Sequence, residues 1–275
     1  MKDLQETTLG LYGYCLPVGI EVGNPPSLNK DFAFKPFRLI EERQIEQELR
    51  ARKAGNHPAQ AVLTTLKIML TKFAGIDFTT ATEKEKMSIL SSAPMTDVLY
   101  AYLTLRVEAL GHELEAPCTC PQCSTSWRWS ADLNDLDLTI SDEPPERVVE
   151  LHSPIQVGEN EVTKVTLAPP SWNALLSLKA GGGDSELKRN ILMSSIRRVE
   201  VQGNWETRPI PPRSFELLTK RDSERLISVI DREFPSIDLS ISTECPSCSF
   251  EGVETITWSH SFIFSSSSLS TEKKN

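Results

Sequence analysis

Apolar positions recur every three or four residues through the first part of this chain and alternate with polar ones around and after its middle, so helices precede strands. Between Leu39 and Leu110 the period is helical. "RLIEERQIEQELRARK" is charged with a thin apolar stripe and stops at Gly55. "PAQAVLTTLKIMLTKFAG" sets Pro58 in a first helical turn, where proline is tolerated. It lines up Val62, Leu66, Met69, Leu70 and Phe73 on one face and ends at Gly75. Thr82 and Glu85 form a capping box that opens a short helix. "MTDVLYAYLTLRVEALG" then turns Leu99, Tyr102, Leu103 and Leu110 inward before Gly111 stops it. These segments predict a bundle of three or four helices.

From Ser124 the pattern changes to alternation. "STSWRWSADL" puts Trp127 and Trp129 on one side and Arg128 on the other, as a half-buried strand does. "NDLDLTISDEPPE" is the clearest internal boundary. A hairpin follows over residues 146–170, "RVVELHSPIQV" and "EVTKVTLAPP" around the turn "GEN". Ser171 caps "WNALLSLKA", Gly181 to Gly183 break it, and Asp184 opens the helix "SELKRNILMSSIRRV". After the loop "VQGNWETRPIPPRS", the segment "FELLTKRDSERLISVIDREF" aligns Leu226, Ile227, Ile230 and Phe234 as a core face. "IDLSISTE" and "VETITWSHSFIF" are strands on either side of "CPSC".

The predicted fold class is α+β: an N-terminal helical bundle, a central hairpin with helices, and a zinc-ribbon-like module joining two distant Cys-Pro-x-Cys knuckles. Four regions follow from this reading. Residues 1–38, rich in glycine and proline, form an extended arm that packs on its own domain or reaches a neighbouring subunit. Residues 39–140 form a helical domain ending in the first knuckle and a strand, residues 146–264 an α+β domain ending in the second knuckle, and residues 265–275 a disordered tail.

At 275 residues the chain can bury a real core without disulfide staples. The formal net charge of −9 opposes broad contact with phosphate backbones. The short basic runs "LRARK" and "IRR" are flanked by acids and read as solvated helix faces. No stretch approaches the ~20 apolar residues of a membrane span, and the N-terminus does not read as a cleaved signal, which points to the cytosol.

The cysteines change this picture most. "CTCPQC" (Cys118 to Cys123) and "CPSC" (Cys245 to Cys248) share a proline after the first knuckle cysteine and a serine after the last. Each Cys-x-x-Cys turn brings two sulfurs to one side, and two such turns supply the four thiolates of a tetrahedral zinc site. A thioredoxin-like redox pair needs its first thiolate at a helix N-terminus, whereas both pairs here precede strands. One structural Zn2+ held by Cys120, Cys123, Cys245 and Cys248 is therefore the favoured reading. Disulfides or redox pairs, and a vestigial site without metal, are the alternatives. Cys118 is a spare ligand and Cys15 a lone buried thiol. Four protein ligands leave no open coordination position, so such a site holds structure and performs no catalysis.

No other constellation carries chemistry. His57, His112, His152 and His260 lie on separate segments without a nucleophile beside them. "KAGGGDSELK" lacks the Gly-Lys-Ser/Thr ending of a phosphate loop and follows no strand. The chain reads as a non-enzyme.

"KVTLAPPSWNALLSL" and "IPPRSFELLTKRDSERLISVIDREFPSIDLSISTECPSCSFEGVETITWSHSFIF" carry a resemblance. Over residues 146–264, and more loosely over the helical first half, the chain resembles the T4-like phage baseplate hub assembly proteins, a family also found in phage-derived contractile injection systems. The resemblance implies a minor hub component or an assembly chaperone of a contractile tail. It implies hub or other tail proteins as partners, and the host cytoplasm during assembly or the virion baseplate as its location. The arm and "SFIF" (Ser261 to Phe264) are then the candidate partner contacts. The rival class is a zinc-ribbon nucleic-acid-binding or regulatory protein, which needs a basic face that the knuckles, with Arg128 against Glu251 and Glu254, do not offer.

Overall fold

The computed structural model describes residues 4–22, 27–52, 57–143, 145–157, 159–178, 183–201, 203–207 and 216–256. The tail, His260, the "SFIF" segment and Gly181 and Gly182 lie outside them. The fold is mixed α and β with antiparallel sheets.

Residues read as an arm are built into strands. β1 (Gln5–Thr8), the single turn α1 (Leu9–Tyr12), β2 (Cys15–Val22) and β3 (Ser27–Phe34) come first. β2 and β3 pair with each other, and Leu16, Val18 and Phe32 are buried. α2 (Leu39–Arg52) rests on α3 (Pro58–Met69) through Ile45 and Leu49, the thin stripe its sequence shows. Lys67 of α3 is almost fully buried and reaches Glu48 at 2.6 Å and Glu83 at 2.7 Å, tying α2 and α3 to α4 (Glu83–Ser92). Thr82 and Glu85 make the reciprocal capping box at the start of α4.

The second predicted helix stops early. At Leu70 the backbone turns extended, and β4 (Leu70–Phe73) pairs with β3, then with β5 (Ile76–Asp77) across Ala74 and Gly75, both at positive φ. The order of this sheet is β2-β3-β4-β5. α5 (Met95–Leu110) is the central helix, buried on several sides from Val98 to Arg106 and closed by Gly111 at φ 86. Leu110, expected to face inward, is exposed because it lies in the last turn, past the packed region.

The remaining elements divide between the two cores. β6 (Glu113–Thr119) and β7 (Ser126–Asp132) make a hairpin, and β8 (Asp137–Ile140) pairs with β1. β9 (Arg147–Val157) and β10 (Asn160–Leu167) form the expected hairpin. α6 (Asn173–Leu176) is one turn, and Ser171 serves it through its carbonyl rather than its side chain. α7 (Asp184–Ser195) ends where β11 (Ile196–Val201) begins, so "IRRVEV" leaves the predicted helix and joins the sheet β12-β11-β10-β9, with β12 at Asn204–Glu206. α8 (Lys220–Glu233) starts at the Thr219 cap, later than the apolar run suggested. β13 (Ser240–Glu244) and β14 (Glu251–Thr255) form the last hairpin.

Burial falls into two cores. The first runs from Leu9 through α3 and α5 to Ile140 and also takes in Trp172 and Ile256. The second lies between the β9–β12 sheet and α7 with α8, and it includes Leu226, Ile230 and Phe234. Among the described residues no helix is long and apolar enough to cross a membrane.

One device recurs in both cores. Asp97, third residue of α5, accepts the backbone N–H groups of Val18 at 2.8 Å and Gly19 at 2.9 Å. Asp222, third residue of α8, accepts those of His152 at 2.6 Å and Ser153 at 3.1 Å. In each case an aspartate side chain at a helix N-terminus satisfies two consecutive strand donors. Gly19 sits at φ +84, and a Cβ there would lie 2.7 Å from Lys30 Cγ and 2.8 Å from the Asn29 carbonyl. Gly19→Ala is expected to cost about 2 kcal/mol or more, read by urea denaturation, because positive φ and contact both oppose the methyl.

Candidate metal centre

The first knuckle is the tip of the β6–β7 hairpin. Cys120 N–H donates to the Thr125 carbonyl and Ser124 N–H to the Cys120 carbonyl, both at 2.9 Å, with Ser124 at φ 61. The second knuckle tips the β13–β14 hairpin and repeats these bonds. Cys245 N–H donates to Phe250 and Ser249 N–H to Cys245, again at 2.9 Å, with Ser249 at φ 53. The shared Cys-Pro-x-Cys-Ser spelling therefore encodes one turn used twice. Pro121 and Pro246 fix the second residue of each turn, and the serine takes the left-handed conformation that closes it.

Pairing at the hairpin bases aligns the tips. Asp238 N–H donates to the Asp137 carbonyl and Thr139 N–H to that of Ser236, so the last hairpin starts beside β8. Ile256 N–H donates to the Leu239 carbonyl at 2.9 Å, and Leu239, Ile241 and Ile256 pack on the first core. At the tips the sulfurs of Cys120, Cys123, Cys245 and Cys248 all lie within 4.8 Å of one another. Cys120 to Cys248 and Cys123 to Cys245 are each 3.6 Å, and all four cysteines are free thiols. A tetrahedron with metal–sulfur bonds of about 2.3 Å has edges of roughly 3.8 Å, so the arrangement is compatible with a metal site.

The inner pair, Cys120 and Cys245, is buried, while Cys123 is exposed and Cys248 half-buried. The Thr125 hydroxyl and backbone N–H hold the Cys123 thiol down to about 6. At Cys248 the Phe250 N–H pulls the other way, but desolvation and the three neighbouring thiols push it up to about 12. One thiolate in such a cluster raises the cost of the next, and a divalent cation removes that repulsion.

Cys118 does not join them. It lies one turn of the β6 pleat away, opposite Trp127, and its Sγ donates to Glu254 Oε1 at 3.2 Å, joining one hairpin to the other. Burial and Glu254 push this thiol up to about 11. Cys15 is half-buried on β2. The described histidines are dispersed: His57 meets the Leu178 carbonyl at 3.2 Å, His112 meets Asp132 at 2.8 Å, and His152 meets Arg221 at 3.1 Å. Sequence reasoning missed β6, although Leu114 and Ala116 alternate with Glu113 and Glu115 there.

Four thiols stand at the meeting of two like hairpins, one from the middle of the chain and one from near its C-terminus. A family model described as T4 bacteriophage base plate protein matches residues 19–263, and the chain belongs to that family. It is a phage baseplate-associated structural protein, and the match reaches well beyond the C-terminal half that carries the sequence resemblance. Neither the curated proteins nor the solved structures gave a match.

Proposed function

We propose that this chain is a non-enzymatic assembly protein of a contractile tail, acting as a minor baseplate hub component or as a chaperone for hub proteins. In this reading a zinc-ribbon-like module binds one Zn2+ through Cys120, Cys123, Cys245 and Cys248. The carrying observation is the sulfur cluster, which draws on thiols 122 residues apart in a chain of the baseplate family. The cation would neutralise the thiolates and fix the two hairpin tips to each other, with no coordination position left for substrate.

Charge supports a protein partner over nucleic acid. Residues 113–140 and 237–256 hold nine acids against Arg128 alone, eight of the chain's nine net negative charges. A ribbon of this sign repels a phosphate backbone.

Mass spectrometry of purified tails, run beside a pull-down from lysate during assembly in the host cytoplasm, tests the role. Hub or other tail proteins should co-purify from lysate. Presence of the chain in finished tails as well marks a hub component, and presence in lysate alone marks a chaperone. Absence of tail proteins from the pull-down overturns the assembly role.

A further inference from the structure

Both sulfur contacts of 3.6 Å cross from one hairpin to the other, and each pairs an accessible cysteine with a buried one. Cys123 is exposed and meets Cys245, which is fully buried. Cys248 is half-buried and meets Cys120, which is 1% exposed. An oxidant from solvent therefore reaches the outer member of each pair first, and the sulfur beside it belongs to the other hairpin. A cysteine oxidised next to such a resolving thiol condenses to a disulfide instead of climbing to the sulfinic acid.

We propose that the cluster is a site of reversible oxidation, at which hydrogen peroxide converts the four thiols into two disulfides between the hairpins, Cys123–Cys245 and Cys120–Cys248. Cys123 Sγ attacks one peroxide oxygen, the O–O bond breaks, and the leaving hydroxide takes the thiol proton as water. Cys245 Sγ then attacks the sulfenic sulfur, the S–S bond forms as the S–O bond breaks, and the departing hydroxide takes the Cys245 proton as a second water. Each pair gives up two electrons to one peroxide. Closing each contact to the disulfide length of about 2.05 Å asks its sulfurs to approach by about 1.5 Å.

Pairing between hairpins keeps them joined, whereas pairing within a knuckle would not. The new bonds span 122 and 128 residues, the same long loop that the four thiolates close around a cation. A Cys-x-x-Cys disulfide closes only a few residues and leaves the hairpins free to part. The hairpins are thus held through metal in the reducing host interior and through sulfur outside it. This deepens the zinc reading and takes its starting state from it.

Purified full-length protein, treated with limiting hydrogen peroxide and then alkylated, is digested with trypsin without reduction and mapped by mass spectrometry, with released zinc read by a chromogenic chelator. Trypsin cuts between the knuckles, at Arg128 and Arg232 among other sites, so a link between hairpins joins two peptides that a link within a knuckle leaves separate. A joined pair is expected, with fragmentation assigning Cys123 to Cys245, formed first, and Cys120 to Cys248, as zinc is released. The oxidised protein should melt at least about 5 °C above reduced protein stripped of metal by chelation, and dithiothreitol with chelator should abolish that difference. Disulfides within the knuckles, the opposite cross-pairing, sulfinic acid at Cys123 without a link, or equal melting temperatures each overturn the proposal. Protein isolated without zinc overturns the metal reading instead, and the linkage map then still decides this one. Knuckle disulfides formed by zinc-loaded protein overturn this one and leave the metal reading standing.

Discussion

Cys245→Ser is expected to abolish stoichiometric zinc and lower the melting temperature by roughly 10 °C. The side chain is fully buried, its sulfur lies 3.6 Å from Cys123, and a serine hydroxyl is a poor substitute for a thiolate. Metal that binds only the folded chain contributes about 4 kcal/mol when its concentration is a thousandfold above the dissociation constant. For a chain of this size each kcal/mol moves the melting temperature by roughly 2–4 °C. Chelation of the wild type should reproduce the shift, whereas Cys118→Ser should keep its zinc, since Cys118 bonds Glu254 outside the cluster. Elemental analysis that finds no metal in the purified wild type would falsify the zinc assignment.

Asp97→Ala should be the most damaging substitution away from the cysteines. It strands the N–H groups of Val18 and Gly19 inside the first core, at about 1–3 kcal/mol each, for a loss of roughly 4 kcal/mol in urea denaturation. The same carboxyl gives the stability a pH signature. Burial pushes it up to about 7, against the pull of its two backbone donors and Lys30. Its unfolded counterpart titrates near 4, so between these values the folded chain holds a proton that the unfolded chain has released. Wild-type stability measured against Asp97→Asn should therefore be greatest below about pH 4 and fall as pH rises towards 7. A difference that grows over that range would refute the assignment.

How much of this was legible in the sequence depended on whether the deciding information was local. The knuckles could be read because turn chemistry and ligand spacing sit within five residues of each other. The capping box at Thr82 and the stop at Gly111 are local for the same reason. β4 and β11 escaped because Leu70 with Phe73, and Ile196 with Val199, are three apart, a spacing that suits a helix face as well as a strand end. Pairing with β3 and β10 decides both, and that partner is distant in sequence. Asp97 and Asp222 look like ordinary acidic residues in a first helical turn. Their role emerges only when a strand from elsewhere presents two N–H groups to each.

The burial of Ile256 beside Leu239 also fixes an order of events during synthesis. The first core contains both Leu9 and Ile256, so it lacks a wall until residue 256 has been made. Domains generally fold N-terminal first as they emerge, yet this one waits for its far end. A ribosome that stalls or terminates before residue 245 releases a chain with its second pair of thiols missing and its first core open. Such a fragment exposes apolar surface that the whole chain buries, which makes it prone to aggregate.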